Sequence, residues 1–375
     1  MAGDTSLVLA AIRDDAAARI AVGAASVDRD RSFPEAAVRA LAAAGGHGLL
    51  VPESAGGSGG SLRALVDACE AVGAACASTG MVFLMHSVTA ATVAAGGGAR
   101  AEGYLRSMAA GEMLGTLAFS ERGTGAHFYS PELRASRENG AVRVSGRKSF
   151  VTSAAHADLY LVLVQDEGDG LDCYAVEGDQ EGLSFDGSWL GLGMAGNASI
   201  AMDLDVLLPE EARIGEPGEG RELVFGVVAP FFLLGLGAVN VGIARAAAEA
   251  AVAHARGRRY PDGTTLAEVQ FVQHELAAMD MRVRSTRLLV DEAARLGEAG
   301  DPEALVAIME AKVAATEAAV DVTQRALEVC GGQGYTPALP IERHLRDARA
   351  GTVMAPTNAV LKSWVGKALA GLPVP

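Results

Sequence analysis

The feature that most restricts the fold of this chain is a change of periodicity near residue 114, which reverses near residue 222. Between these positions, short runs rich in β-formers are separated by Asn-Gly, Gly-Asp-Gly and similar turn signals: "GTLAFSE", "AVRVSGRKSFVTS", "ADLYLVLVQ", "LDCYAVEG" and "SIAMDLDVLLP". Strands at this spacing, without helices between them, are typical of an antiparallel sheet or barrel.

Both flanks of this β-region are Ala-rich and have helical periodicity. In "SLRALVDACEAVGAACA" and in "PEALVAIMEAKVAATEAAVDVTQRALEVC", apolar residues recur every three or four positions, and the second run is expected to stop at the two glycines that follow it. The chain is therefore predicted to be an α+β multidomain protein. It would have an N-terminal all-α domain (1–113), a middle antiparallel β-barrel or sheet domain (114–222) and a C-terminal helical bundle (223–375).

Charge and cysteine usage restrict the partners and the compartment. A formal net charge of −15 opposes binding to nucleic acid or to an anionic membrane, so an anionic ligand must be held by a local site. The four cysteines are scattered without metal-ligand spacing, and the N-terminus lacks the basic region of a signal peptide. These features predict a cytoplasmic protein without a metal site.

The uncharged stretch from 223 to 244 is long enough to span a bilayer. It contains Pro230, Asn240 and four glycines, and it continues directly into "RAAAEAAVAHARGRR". We interpret it as a buried helix of a multi-helix core rather than as a membrane span.

Two motifs that resemble catalytic or cofactor sites lack the required context. "GLGMAG" (191–196) matches G-x-G-x-x-G, but a dinucleotide fingerprint needs a helix after it, whereas a strand-like segment follows here. His86 is a lone imidazole in an apolar helical run, which is by itself more typical of a core or pocket residue than of a catalyst. Neither motif identifies a reaction.

A dense charge cluster follows the glycines of "CGGQGY". It places Glu342, Arg343, Arg346 and Asp347 within one and a half helical turns, where Glu342–Arg346 and Arg343–Asp347 pairs are expected on a solvated face. The preceding glycines permit close backbone approach to a flat or phosphorylated ligand.

Together, these segments resemble the acyl-CoA dehydrogenase family of flavoproteins over essentially the whole chain. "LAFSERGTGAH" is similar to the family's flavin-binding segment L-T-E-P-x-A-G-S-D, and "GRKSFVTSAAHAD" to its G-x-K-x-W-I-T-N-x-x-x-A-D. "RRYPDGTTLAEVQ" resembles R-x-x-F-G-x-P-I-x-x-x-Q, while "CGGQGY" and "IERHLRDARA" resemble G-G-x-G-Y and E-R-x-x-R-D-A-R.

The resemblance implies a C-terminal four-helix bundle, FAD as cofactor and a homotetramer built as a dimer of dimers. Ser120 would hydrogen-bond the flavin ring, Phe150 would pack near it and Thr152 would contact N5, the hydride-accepting nitrogen. Arg259 would neutralise the FAD diphosphate of an adjacent subunit, and Thr357 would close the flavin pocket. The implied cofactor-binding residues are Leu117, Phe119, Ser120, Ala126, Phe150, Val151, Thr152, Arg259, Gln270, Glu328, Gly331, Gly332, Thr357 and Ala359.

Three of these positions depart from the family pattern. Ala126 replaces a serine that would donate to the cofactor, and Phe150 replaces a tryptophan. Glu328 replaces a glutamine near the diphosphate, where an extra carboxylate should weaken binding unless it is paired.

The carboxylate that removes the substrate α-proton in family dehydrogenases is missing from both of its usual positions. The motif Y-E-G-T reads Met354-Ala355-Pro356-Thr357, and the alternative position on the first bundle helix holds Phe232. His86 or Glu121 would have to serve as a relocated base, with His86, Ala355 and Phe232 placed at the substrate.

Three functions therefore remain open. The first is α,β-dehydrogenation of an acyl thioester, carried by CoA or a carrier protein, with an electron-transfer flavoprotein or O₂ as electron acceptor. The second is a flavin monooxygenase or N-hydroxylase on the same fold, which needs no α-proton base. The third is a catalytically silent flavoprotein scaffold.

Overall fold

The computed structural model describes residues 4–168 and 170–374, which form an α–β–α chain. The helices are α1 (Thr5–Ala11), α2 (Ala17–Asp30), α3 (Glu35–Ala43), α4 (Leu62–Ala75), α5 (Ala77–Gly96), α6 (Ala101–Ala109), α7 (Gly220–Leu223), α8 (Ala229–Gly257), α9 (Gln270–Ala299), α10 (Ala304–Gly334), α11 (Ile341–Val353) and α12 (Asn358–Leu369). The strands are β1 (Gly115–Ala118), β2 (Ala135–Glu138), β3 (Ala141–Val151), β4 (Leu159–Gln165), β5 (Leu171–Glu177), β6 (Leu183–Asp186), β7 (Ile200–Pro209) and β8 (Arg213–Ile214).

Within the described residues, the middle region forms two four-stranded sheets, with strand orders β1-β4-β5-β8 and β2-β3-β7-β6. Neighbouring strands run antiparallel except for β1 and β4, which pair in parallel. The predicted β-domain is therefore confirmed, but the sheets are not closed into a barrel. The five predicted runs became β1, β3, β4, β5 and β7, whereas the short strands β2, β6 and β8 had not been predicted.

The helical regions share one apolar core. α8 packs against α4 of the N-terminal region as well as against α9 and α10, and α11 and α12 pack on α10. α10 bends at Gly331, where the backbone angles are φ 54° and ψ −139°, so the helix is interrupted at the glycine pair expected to end it.

In the part of the chain that the structure describes, two helical stretches are long and apolar enough to cross a membrane. They are Ala77–Gly96 and Gly220–Gly257, and 83% and 67% of their most apolar windows are buried inside the protein. The second stretch includes the uncharged 223–244 segment, and both serve as core helices here.

The "GLGMAG" glycines lie in a loop that joins all three regions and leads into β7, as expected for a turn rather than a dinucleotide fingerprint. A Cβ on Gly193 would overlap the carbonyl oxygen of Arg346 on α11, and one on Gly196 would lie 2.6 Å from the carbonyl oxygen of Ser32 after α2. These two glycines therefore serve close packing between regions.

The charge cluster on α11 holds the same junction together. Arg346 forms an ion pair with Glu342 (2.7 Å), as predicted, but also a forked pair with Asp28 on α2 (2.6 and 2.8 Å). The buried Asp347 accepts a hydrogen bond from the backbone N–H of Met194 (2.6 Å) rather than pairing with Arg343. The prediction of a solvated face was wrong, since these two side chains connect α11 to α2 and to the 189–196 loop.

Candidate active site

Two segments predicted to flank a flavin ring lie side by side, although about thirty residues separate them in the chain. The N–H of Ser149 donates to the carbonyl of Ser120 (2.9 Å), and the hydroxyl of Thr116 on β1 donates to the carbonyl of Thr152 (2.8 Å). The end of β1 and the end of β3 are thereby held together.

A β-bulge in β3 turns Phe150 outward at this point. The register of β3 with β7 shifts between Lys148 and Val151, and Phe150 has a φ of 55°. Its side chain is 67% exposed and contacts the ring of Trp189 edge to face, with 6.4 Å between centroids. Bulges often re-aim side chains beside active sites, and an exposed aromatic face next to Ser120 fits a flat ring.

The other residues predicted to contact the flavin ring are buried or half-buried near the Phe150 surface. Leu117, Phe119 and Val151 are buried in the apolar cores, and the hydroxyl of Thr152 is hydrogen-bonded to that of Ser199 (3.0 Å). Ala126 is half-buried in the turn that follows Ser120. Their contacts with a cofactor remain predictions.

Glu121, one of the two predicted bases, forms a buried ion pair. Its side chain is buried, and one carboxylate oxygen lies 2.6 Å from the ammonium nitrogen of Lys148. The carboxylate also accepts hydrogen bonds from the N–H groups of Glu132 (2.7 Å) and Leu133 (3.3 Å). These contacts hold the carboxylate within the β-domain and argue against proton transfer by Glu121, whose role as a relocated base stays a prediction.

His86, the other predicted base, is also held by hydrogen bonds to the backbone. Its ring is completely buried, the N–H of Gly115 donates to Nδ1 (3.0 Å), and Nε2 therefore carries the proton donated to the carbonyl of His47 (2.9 Å). Burial lowers the pKa of His86 to about 4. The imidazole ties α5 to β1 and to the 46–48 turn, which argues against a role in proton transfer; its roles as base and substrate contact stay predictions.

The segment around Ala355 was predicted to lie at the substrate and the flavin. Ala355 and Phe232 are half-buried and pack against the same apolar core. Thr357 caps α12 by accepting from the N–H of Val360 (3.4 Å), and Ala359 on the first turn is exposed.

Lys312 on α10 is a buried cation beside the predicted pocket residue Thr357, and no sequence motif had singled it out. Its fully buried ammonium donates to the carbonyl of Pro356 (3.1 Å) and to Oδ1 of Asn358 (2.9 Å), on either side of Thr357. Burial lowers its pKa to about 7. In the sequence Lys312 lay within a regular helical run, where a single lysine normally indicates a solvated position.

The residues predicted around the diphosphate and adenosine are all exposed. Arg259 lies on the loop after α8 and donates to the carbonyl of Gly263 (3.3 Å), and Gln270 begins α9. Gly331 and Gly332 have open space where a Cβ would project, so their backbone is accessible. Glu328 accepts from the amide of Gln324 (3.2 Å) rather than from an arginine.

These observations fit a flavin cofactor at the junction of sheet and helices. The exposed Phe150 face is suited to a flat ring, and the accessible backbone at Gly331 and the cationic Arg259 are suited to a diphosphate; their contacts with FAD stay predictions. Fold and site define a flavoprotein in which a β-domain lies between two helical regions.

The chain belongs to the acyl-CoA dehydrogenase family. Models of that family's N-terminal domain, middle domain and C-terminal domain match residues 4–112, 116–206 and 234–370. The protein is therefore an FAD-dependent oxidoreductase, as the sequence resemblance predicted.

Known relatives align along nearly the whole chain. A probable acyl-CoA dehydrogenase, fadE25 of Mycobacterium leprae, is 31% identical over 96% of this chain and 94% of its own. The short-chain specific acyl-CoA dehydrogenase of human mitochondria is 29% identical, over 94% of this chain and 87% of its own. The solved structure of butyryl-CoA dehydrogenase from Megasphaera elsdenii superposes with a TM-score of 0.91 at 25% identity, covering 98% of each chain.

Proposed function

We propose that this protein oxidises an acyl thioester at the α,β-carbon bond, with FAD held against Phe150 and Ser120. The observation that supports the proposal is that the two segments predicted to line the flavin lie together, joined by the hydrogen bond from the N–H of Ser149 to the carbonyl of Ser120 (2.9 Å). Bound FAD would supply a hydride acceptor. The chain would supply the surface formed by Phe150 and Ser120, called the flavin platform below. It would also supply the cap at Thr357 and the apolar surface around Phe232.

The unusual feature of this site is that no side chain assigned to proton removal is free to do it. Ala355 and Phe232 cannot accept a proton, and the polar atoms of His86 and Glu121 are engaged elsewhere. A positioned general base contributes about 10²–10⁴-fold to such a reaction. The wild-type protein is therefore expected to oxidise thioesters slowly.

The same observation favours a second candidate function on this fold. A flavin monooxygenase or N-hydroxylase needs an external reductant and O₂ but no base for an α-proton. The absent carboxylate is then a consequence of the reaction and not a defect. The third possibility, a silent flavoprotein scaffold, predicts flavin binding without either reaction.

The deciding experiment mixes flavin-loaded protein anaerobically with a panel of acyl thioesters and follows the flavin absorbance. Dehydrogenation predicts bleaching by at least one thioester, and Ala355→Glu should accelerate it by about 10²-fold or more because it restores a carboxylate beside the site. Phe232→Glu tests the second family position in the same way.

If no thioester bleaches the flavin in the wild type or in either variant, the dehydrogenase proposal is wrong. Consumption of a reductant and O₂ coupled to product formation would then identify the oxygenase. Flavin binding without either activity would identify the scaffold.

We further propose a cytoplasmic homotetramer that uses an acyl-CoA or acyl-carrier-protein substrate and passes electrons to an electron-transfer flavoprotein or to O₂. Exposed apolar side chains on α9, at Phe271 (58%), Met281 (64%) and Leu288 (69%), support association. The Arg259 surface would then face the FAD of a neighbouring copy. Light scattering of the purified protein tests the assembly, and a monomer at micromolar concentration would contradict it.

A further inference from the structure

A buried ion pair lies directly behind the proposed flavin platform. The side chains of Lys148 and Glu121 are 0% and 3% exposed, and their charged atoms are 2.6 Å apart. Since isolated charges are strongly disfavoured in a protein interior, both groups must be compensated by the contacts around them.

The contacts of Lys148 show complete compensation and connect separate parts of the β-domain. Its ammonium donates to Glu121, to the carbonyl of Leu163 on β4 (2.6 Å) and to the carbonyl of Phe119 (3.4 Å). Three N–H donors thus have three acceptors. Burial lowers the pKa of Lys148, while the adjacent Glu121 carboxylate opposes this change.

Glu121 extends the network to the turn before β2. Its carboxylate accepts from the backbone N–H groups of Glu132 and Leu133, at 2.7 and 3.3 Å. Glu121 directly follows Ser120, and Lys148 comes two residues before Phe150 at the start of the bulge. The pair therefore joins the segment that follows β1 to β3 at the start of its bulge, and these are the two segments that form the platform.

We propose that the Lys148–Glu121 ion pair is a positioning device for the flavin ring, which sets the spacing between Ser120 and the outward-facing Phe150. This inference rests on the proposed function, since it assumes that the platform holds a flavin. Both residues act through their neighbours, because their buried side chains face away from the exposed surface of the bulge.

A positional role differs from a purely structural one in what its loss changes. Without the pair, the β1 end and the bulge lose their common charged anchor, while the Ser149–Ser120 hydrogen bond remains. The ring should then bind in a looser and more hydrated environment, which changes its visible spectrum and its reduction potential.

The test compares Lys148→Met, Glu121→Gln and the double variant with the wild type. Lys148→Met leaves the Glu121 carboxylate without its cation and should raise the dissociation constant of FAD by about tenfold or more, the equivalent of one lost charged hydrogen bond. Glu121→Gln keeps an oxygen acceptor and should have a smaller effect. The double variant leaves no unpaired buried charge, so it should be more stable than Lys148→Met while still lacking the anchor.

The readouts are FAD affinity, the resolution of the visible flavin bands and the midpoint potential, measured below the unfolding temperature of each protein. Glu70→Gln is the matched control, because Glu70 accepts from Arg245 (2.9 Å) and Arg287 (2.5 Å) between α4, α8 and α9. It should lower thermal stability without changing the flavin spectrum.

The milder Glu121→Gln variant decides the outcome if Lys148→Met does not fold. Wild-type FAD affinity, spectrum and potential in Glu121→Gln and in every other folded variant of the pair would overturn the positioning role. A wild-type protein that binds no FAD would refute the proposed function itself, so the two failures are distinguishable.

Discussion

Asp347 offers a direct test of the junction that connects the three regions of the chain. Its carboxylate is buried and accepts the N–H of Met194 at 2.6 Å, beside the Arg346–Asp28 ion pair. Burial raises the pKa of Asp347 to about 6, and the Asp28 charge adds to this effect, while the Met194 hydrogen bond, Arg343 and Arg346 oppose it. Asp347→Asn keeps an oxygen acceptor for Met194 and removes the titration.

The expected magnitude follows from linkage between protonation and folding. Because the folded pKa of about 6 lies above the ordinary value of 3.8, the stabilisation from the protonated form is complete below 3.8 and is lost as the pH rises through 6. At about 1.4 kcal/mol per pH unit, the difference corresponds to about 3 kcal/mol. The wild type should lose this contribution between pH 4 and pH 7, whereas Asp347→Asn should not.

The measurement is the free energy of unfolding by urea, for the wild type and Asp347→Asn, at several pH values from 4 to 8. Relative to the wild type, the Asp347→Asn variant should gain stability by up to about 3 kcal/mol across this range. Asp179→Asn, at an exposed position, is the control for a general charge effect. A difference between wild type and Asp347→Asn that stays constant with pH would refute this account of the junction.

Two further predictions concern residues whose roles only the structure revealed. Gly193→Ala should destabilise the protein by about 1–3 kcal/mol in thermal unfolding, because the new Cβ would overlap the Arg346 carbonyl. The control Gly103→Ala, which has open space on α6, should not destabilise it. Equal melting temperatures for the two variants would contradict the close approach at Gly193. Lys312→Met should remove a pH dependence of the free energy of unfolding. The folded pKa of Lys312, about 7, lies below the ordinary 10.5, so wild-type stability falls as the pH drops from 10.5 towards 7. The stability of the variant relative to the wild type should therefore increase over that interval. Parallel stability curves for Lys312→Met and the wild type between pH 7 and 10 would show that the buried ammonium does not titrate there.

Local patterns predicted the regular elements well where the period was long and uninterrupted. The five β-rich runs became strands, and the break of α10 fell at the glycine pair after "ALEVC". The short strands β2 (ASRE), β6 (LSFD) and β8 (RI) were missed because they contain few consecutive β-formers, whereas the equally short β1 lies within the longer run "GTLAFSE". A closed barrel was one of the two expected forms of the β-domain, and the structure has two open sheets instead. Strand order and closure depend on pairings between distant segments, which the sequence pattern does not show.

Sequence motifs identified the candidate site residues, but they did not indicate whether those side chains are free to transfer a proton. His86 and Glu121 had the right side chains for proton transfer, yet each is held by backbone groups from other segments. Hydrogen-bond partners at such separations leave no local signal in a sequence. Lys312 was missed for the converse reason, because nothing nearby in the chain indicates that it is buried against Pro356 and Asn358.

The amino-acid sequence by itself determined the α–β–α order, the motifs of a flavoprotein family and the absence of a carboxylate at Ala355 and Phe232, because these depend on residue identity and short-range periodicity. The tertiary structure alone decided that Phe150 faces outward, that Lys148 and Glu121 neutralise each other beneath it, and that Arg346 and Asp347 join the domains. The physical reason is that burial and charge pairing arise from segments far apart in the chain, and these contacts set which polar groups remain free to react.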